Sequence, residues 1–231
     1  MTHPSTLPDH AADQLARYKE LVERYQGAVD LISKRGLEEF DRYVSEGLRY
    51  AALIARLAGP APCVVDVGSG VGLPGVVIAI ALPGADVRLV ERRHRRAAFL
   101  ELVVAQLGLG NAKVVEGDVR DLEGVTADVV TAQAVASQTA LVDLTRGVRA
   151  EASWLISRRG PGWREELGLP EADVGAGQDG EADGALPGEA GRTAQAEAEL
   201  ARADIVEEAL EPHGSLVAIR LPGGSACRSS A

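Results

Sequence analysis

One stretch limits what this chain can fold into more than any other: Cys63-Val64-Val65-Asp66-Val67-Gly68-Ser69-Gly70-Val71-Gly72-Leu73-Pro74-Gly75. A β-branched apolar run stops at an acid, and four glycines then fall within eight residues before a new helical pattern begins. Strand, Gly-rich turn and helix in that order build a nucleotide cradle. Glycine permits positive φ and lets the backbone approach a ligand with no Cβ in between. The helix that follows offers unpaired N–H groups and the positive end of its dipole.

Around this turn, apolar strands alternate with amphipathic helices. Strands are expected over 63–67, 86–90, 113–116, 127–131 and 153–157, with helices near 73–82, 94–107 and 139–149. Such alternation means α/β: a Rossmann-like, mostly parallel sheet with helices on both faces and ligands beyond the carboxyl ends of its strands. Upstream, Leu15, Tyr18, Leu21, Val22 and Tyr25 form a helical stripe over 11–26. Phe40, Val44, Leu48 and Ala51 mark a second helix over 37–57, ended by Gly59-Pro60-Ala61-Pro62. Residues 1–62 are therefore expected to form an N-terminal helical cap, and 63–231 the nucleotide-binding domain. Residues 168–192 are rich in Gly, Ala and acids without periodicity, which predicts a disordered acidic loop. Two closing strands are expected over 204–210 and 215–221, then a flexible tail over 222–231.

Composition narrows the class further. The net charge of −10 argues at first against a nucleic-acid partner, but ten acids and two Arg between 160 and 200 account for −8 of it. There is no 18-residue apolar run and no basic, apolar leader, so neither a membrane span nor a signal peptide is expected. Cys63 lies in the first predicted strand and Cys227 in the tail, which fits reduced thiols and the cytoplasm. His3, His10, His94 and His213 have no metal-ligand spacing, so no metal is expected; nor is an oligomer.

Taken alone, G-V-G-L-P-G from Gly70 to Gly75 also fits a dinucleotide fold, and Glu91 ends the next strand as that fold requires. Three features favour an S-adenosylmethionine (SAM) cradle. Asp66, two residues before Gly68, would orient the turn, face an ammonium group and repel pyrophosphate. Gly117-Asp118-Val119 ends the third strand with a polar rim, and no later segment suits hydride transfer. Backbone N–H groups from Gly68 through Ser69, Gly70 and Gly72 would then hold the aminoacid portion. Glu91 would accept the ribose hydroxyls, since a carboxylate offers two acceptor oxygens to a diol. Asp118, or the backbone of Val119 and Arg120, would meet the adenine edge. The competing roles are a partner for the neighbouring arginines at Glu91 and a helix N-cap at Asp118.

With these residues in view, the chain resembles the RsmG (GidB) family, bacterial SAM-dependent methyltransferases acting on guanine N7 of small-subunit ribosomal RNA. The similarity runs over about 15–163 and resumes near 204–220, carried by LARYKELVERYQGAVDLIS, the G-S-G-x-G-L-P-G turn, the R-x-A-F-L helix and A-V-A-S after the fourth strand. The resemblance implies that Gly68, Leu73, Val119 and Arg120 fall on cofactor positions, with Arg92 beside them. It also marks departures. Gln133 stands where the family has an arginine touching cofactor and substrate, and Arg158-Arg159-Gly160 stands for its Lys-Gly.

The acceptor side is thus the altered one. Gln133, whose amide can donate and accept, is the candidate for orienting the acceptor. Arg92-Arg93-His94-Arg95-Arg96, with Arg120, Arg146, Arg149, Arg158 and Arg159, form the candidate RNA surface. Trp154 and Trp163 are the large aromatics expected near the site, with Trp163 as a stacking platform or a core residue. The expected activity is methyl transfer to ribosomal RNA or the small subunit. The alternatives are a small-molecule methyltransferase of the same fold and a non-catalytic SAM-binding protein.

Overall fold

The computed structural model describes residues 7, 8, 10–133, 137–160, 162–166, 190–210 and 214–222. Helices α1 (Ala11–Val29), α2 (Lys34–Glu38) and α3 (Phe40–Ala58) come first. The second predicted helix is divided because the Ser33 hydroxyl accepts from Gly36 N–H at 3.0 Å and starts α2 early, and Glu39 leaves helical geometry. Next come β1 (Cys63–Val67), α4 (Gly75–Ala81), β2 (Asp86–Glu91), α5 (His94–Leu107) and β3 (Ala112–Glu116). A 3₁₀ turn, Val119–Asp121, leads to β4 (Ala127–Ala132) and α6 (Gln138–Leu144). A second, Arg146–Val148, leads to β5 (Arg149–Arg159), and α7 (Trp163–Glu166), α8 (Ala190–Leu200), β6 (Asp204–Ala209) and β7 (Ser215–Pro222) complete the order.

The seven strands lie in the order β3-β2-β1-β4-β5-β7-β6, with the first five parallel and β7 antiparallel to both its neighbours. The central strands are buried on both faces, which explains their continuous Val, Leu and Ile runs. On one face Val64, Val87, Leu89, Val129 and Ile156 pack with Tyr18, Phe40 and Ile54 of α1 and α3 and with α4 and α5. On the other, Val65, Val90, Val130 and Leu155 pack with Leu141 of α6 and Ala196 and Leu200 of α8. The N-terminal helices therefore form part of one layer of the sandwich.

Several boundaries differ from expectation. The helix near 139–149 ends at Leu144, where the Thr145 hydroxyl donates to the Leu141 carbonyl, and β5 begins at Arg149. Residues 190–192, assigned to the acidic loop, lie in α8. The rest of that loop, residues 168–189, and the tail from 223, with Cys227, lie outside the described residues.

Candidate functional site

The Gly-rich turn leaves β1 at the carboxyl edge of the sheet. Gly68, Gly70 and Gly72 have φ of +69°, +57° and +107°, values that side-chain-bearing residues rarely adopt. Four of its N–H groups are bonded within the protein: Gly68 and Ser69 donate to the Val90 carbonyl, Gly72 to the Ser69 carbonyl, and Gly70 to Glu91 Oε2 at 2.9 Å. These amides were expected to hold the aminoacid portion of the ligand; here the four are already bonded within the protein. The carbonyls of Gly68 and Gly70 accept none of these bonds, and carbonyl oxygen suits a ligand's ammonium.

Two buried side chains fix the turn from below. The Tyr18 hydroxyl, on α1, donates to the Val71 carbonyl at 2.9 Å, and the ring meets Phe40 edge-on at 5.2 Å. Nothing larger than glycine fits at 72, where a Cβ would lie 2.9 Å from that hydroxyl. Asp66 is 1% exposed; its Oδ1 accepts from the Thr131 hydroxyl at 2.7 Å, and its Oδ2 lies against Gly75, whose Cβ would come within 2.6 Å of it. Burial raises the Asp66 carboxyl to about 6, opposed by donors from Thr131, Ser69 and Gly75 and reinforced by the Glu91 charge. Asp66 thus lies beneath the turn, whereas the sequence reading had it both orient the turn and face an ammonium group.

Glu91 joins the turn to the next helix. Its Oε2 accepts from Gly70 N–H and its Oε1 from Arg93 N–H at 2.8 Å, so both oxygens carry one bond and keep a lone pair each. Asp118 is gripped by Arg120, whose Nε and Nη2 each stand 2.9 Å from the carboxylate and whose N–H it caps. The Arg120 guanidinium, helped by Arg92, pulls that carboxyl down to about 2. The N-cap role is therefore the one its oxygens fill, and the adjoining Val119 is buried. Gln133 follows β4 and is half-buried; Ala134, Val135 and Ala136 of the A-V-A-S motif lie outside the described residues. At the start of α6, the buried Gln138 Oε1 accepts from Ser157 Oγ at 3.2 Å and from Arg159. Arg158 Nε stands 3.2 Å from the buried Glu46 on α3.

Residues 11–174 match the family described as rRNA small subunit methyltransferase G. The small-subunit methyltransferase G of Halorhodospira halophila is 34% identical over 168 residues, covering 72% of this chain and 78% of that protein. Its counterpart from Acidothermus cellulolyticus is 43% identical over 129 residues, covering 53% and 56%. This chain belongs to that family. An O-methyltransferase of Streptomyces achromogenes solved in complex with SAM shares the fold, with a TM-score of 0.54, 13% identity and coverage of 95% and 93%. The protein is a SAM-dependent methyltransferase with the Rossmann-like class I fold expected from its sequence.

The site fits that cofactor. Buried carboxylates beneath and beside a turn whose Gly68, Ser69, Gly70 and Gly72 amides are already bonded favour a cation and disfavour pyrophosphate, which needs those amides. In this family member several expected contacts have structural work instead. Trp163 is buried beside α8, its indole donating to Glu207 at 3.1 Å with Arg164 over the ring, so it is no stacking platform. Trp154 pairs with Val129 at the amino end of the sheet, away from the site. Arg146 and Arg149, also at that end, are held by Glu199, and the Arg149 side chain is fully buried. Arg96 donates to the Asp30 carbonyl at 2.8 Å and ties α1 to α5. Arg92 and Arg95 are exposed. Sequence reasoning assigned Tyr18 to packing alone; its helical spacing identified the buried face, and nothing local marked its hydroxyl.

Proposed function

We propose that this chain transfers a methyl group from SAM to N7 of a guanine in small-subunit ribosomal RNA. The family match supports the acceptor, and the polarity of the turn supports the cofactor: buried Asp66 and Glu91 flank backbone whose Gly68, Ser69, Gly70 and Gly72 amides are already bonded within the protein. SAM supplies an electrophilic methyl on a sulfonium. The carbonyls of Gly68 and Gly70 hold the ammonium, the free lone pairs of Glu91 accept the ribose hydroxyls, and Val119 with the Asp118–Arg120 pair forms the adenine rim. Guanine N7 presents a lone pair and loses no proton on methylation, so the chain needs no general base. Its task is alignment and exclusion of water. Gln133 at the end of β4 orients the base, while Arg159, held by Gln138 and Ser157, and Arg158, held by Glu46, favour phosphate beyond β5. A ribosomal acceptor would be met in the cytoplasm.

The deciding experiment offers labelled SAM to small subunits lacking N7 methylation, both assembled and as naked RNA. Label mapping to a guanine N7 is the expected result. Intact SAM binding with no label in either form would overturn it and favour a small-molecule acceptor, the reading that Gln133 in place of the family's arginine supports.

A further inference from the structure

We infer that the groove between α1 and α5 is a second subsite, which takes one unpaired ribonucleotide of the RNA outside the methyl-transfer cradle. The inference rests on the RNA reading above. The groove has a volume of about 350 Å³, lined by Tyr25 and Val29 from α1 and by Ala98, Phe99 and Leu102, with the exposed His94 and Arg95, from α5. Phe99 is buried and meets the half-exposed Tyr25 ring at 6.1 Å and 55°, so Tyr25, the ring with exposed surface, is braced at a fixed angle. Base stacking needs such a surface and tolerates any base.

The rim supplies the other half of a nucleotide. Arg95 is exposed and has no ion pair among the described residues. Arg92 is 72% exposed, and its acid, Asp118 at 3.8 Å, is already gripped by Arg120. Arg93 is exposed as well. Guanidinium groups crowded at the amino end of α5 oppose the helix dipole, and a phosphate would relieve both repulsions. The subsite also adjoins the cradle. Arg96 bonds the carbonyl of Asp30 just beyond α1, and its Nη1 is 3.8 Å from where a Gly70 Cβ would stand. A docking helix would need apolar contacts over several turns of both walls; on α1 the lining covers only Tyr25, Ala28 and Val29.

The test uses the full chain with isotope-labelled methyl groups and a short unpaired oligoribonucleotide. The methyl resonances of Val29, Ala98 and Leu102 should shift on titration, and Ala98→Trp or Arg95→Glu should abolish the shift while SAM affinity stays unchanged. In methyl transfer, the same variants should raise KM for RNA about tenfold and leave kcat near that of the parent chain. Shifted resonances without methyl transfer would uphold the subsite while the N7 reading fell. RNA that binds without moving these resonances would overturn the subsite. So would variants that weaken binding of assembled subunits but not of free RNA, since the groove's occupant would then be a protein.

Discussion

At the scale of single residues, Asp66 and Tyr18 show how the turn is held. Asp66 titrates near 6 in the folded chain, above the roughly 4 of an unfolded aspartate. The folded state therefore binds the extra proton between those values, and this group's contribution to stability falls as pH rises from about 4 to about 6. The difference is on the order of 2–3 kcal/mol. Glu91 adds to the rise, and the buried phenols of Tyr18 and Tyr50 are themselves pushed up, by burial first and by Asp66 second. Asp66→Asn keeps an acceptor for Thr131 and cannot ionise, so denaturant melts of the variant should lack that fall. Equal pH dependence in both chains would show that Asp66 does not titrate there. Tyr18→Phe leaves the Val71 carbonyl unpaired at a cost of about 1–2 kcal/mol, and SAM affinity measured by calorimetry should drop several-fold. Val22→Ala, in the same helix but away from the turn, should lower Tm and spare SAM affinity; similar affinity losses in both variants would reduce Tyr18 to packing.

Elements are joined here by pairs that sequence distance conceals. Glu199 of α8 holds Arg146 and the fully buried Arg149, so Glu199→Ala leaves a buried guanidinium unpaired and should cost about 2–4 kcal/mol in thermal melts. Pairing it with Arg149→Met should recover most of the loss; additive losses would mean that the pair is not coupled. Such ties mark where sequence reasoning stops. Strand β1 was legible residue for residue, because a β-branched run lies between Pro62 and Gly68. The early start of β5 was not, since Arg149 is a surface residue until Glu199, fifty positions later, neutralises it. Trp163 was similarly ambiguous until Glu207 met its indole. The turn, with Asp66, Glu91 and Asp118 around it, was legible as a cluster of types. Which oxygens remain for a ligand was not, because backbone donors decide that and leave no mark in the sequence.

For the molecule as a whole, the N-terminal helices and the sheet share one core, with Tyr18, Phe40 and Ile54 packed among Val64, Val76 and Leu89. Unfolding should accordingly be a single transition, with circular dichroism and tryptophan fluorescence melting together. Two separated steps would make the N-terminal helices an independent unit. The strand order carries a different consequence. Strand β7 lies between β5 and β6 although it is the last of the three to be made. While the ribosome is still adding residues, β5 has a bare edge and β6 has nothing to pair with, and such edges invite aggregation. The sheet closes only when Ser215–Pro222 emerges and slides between them. Synthesis halted after Arg159 but before that strand would release a chain with its whole cradle encoded and its scaffold left open.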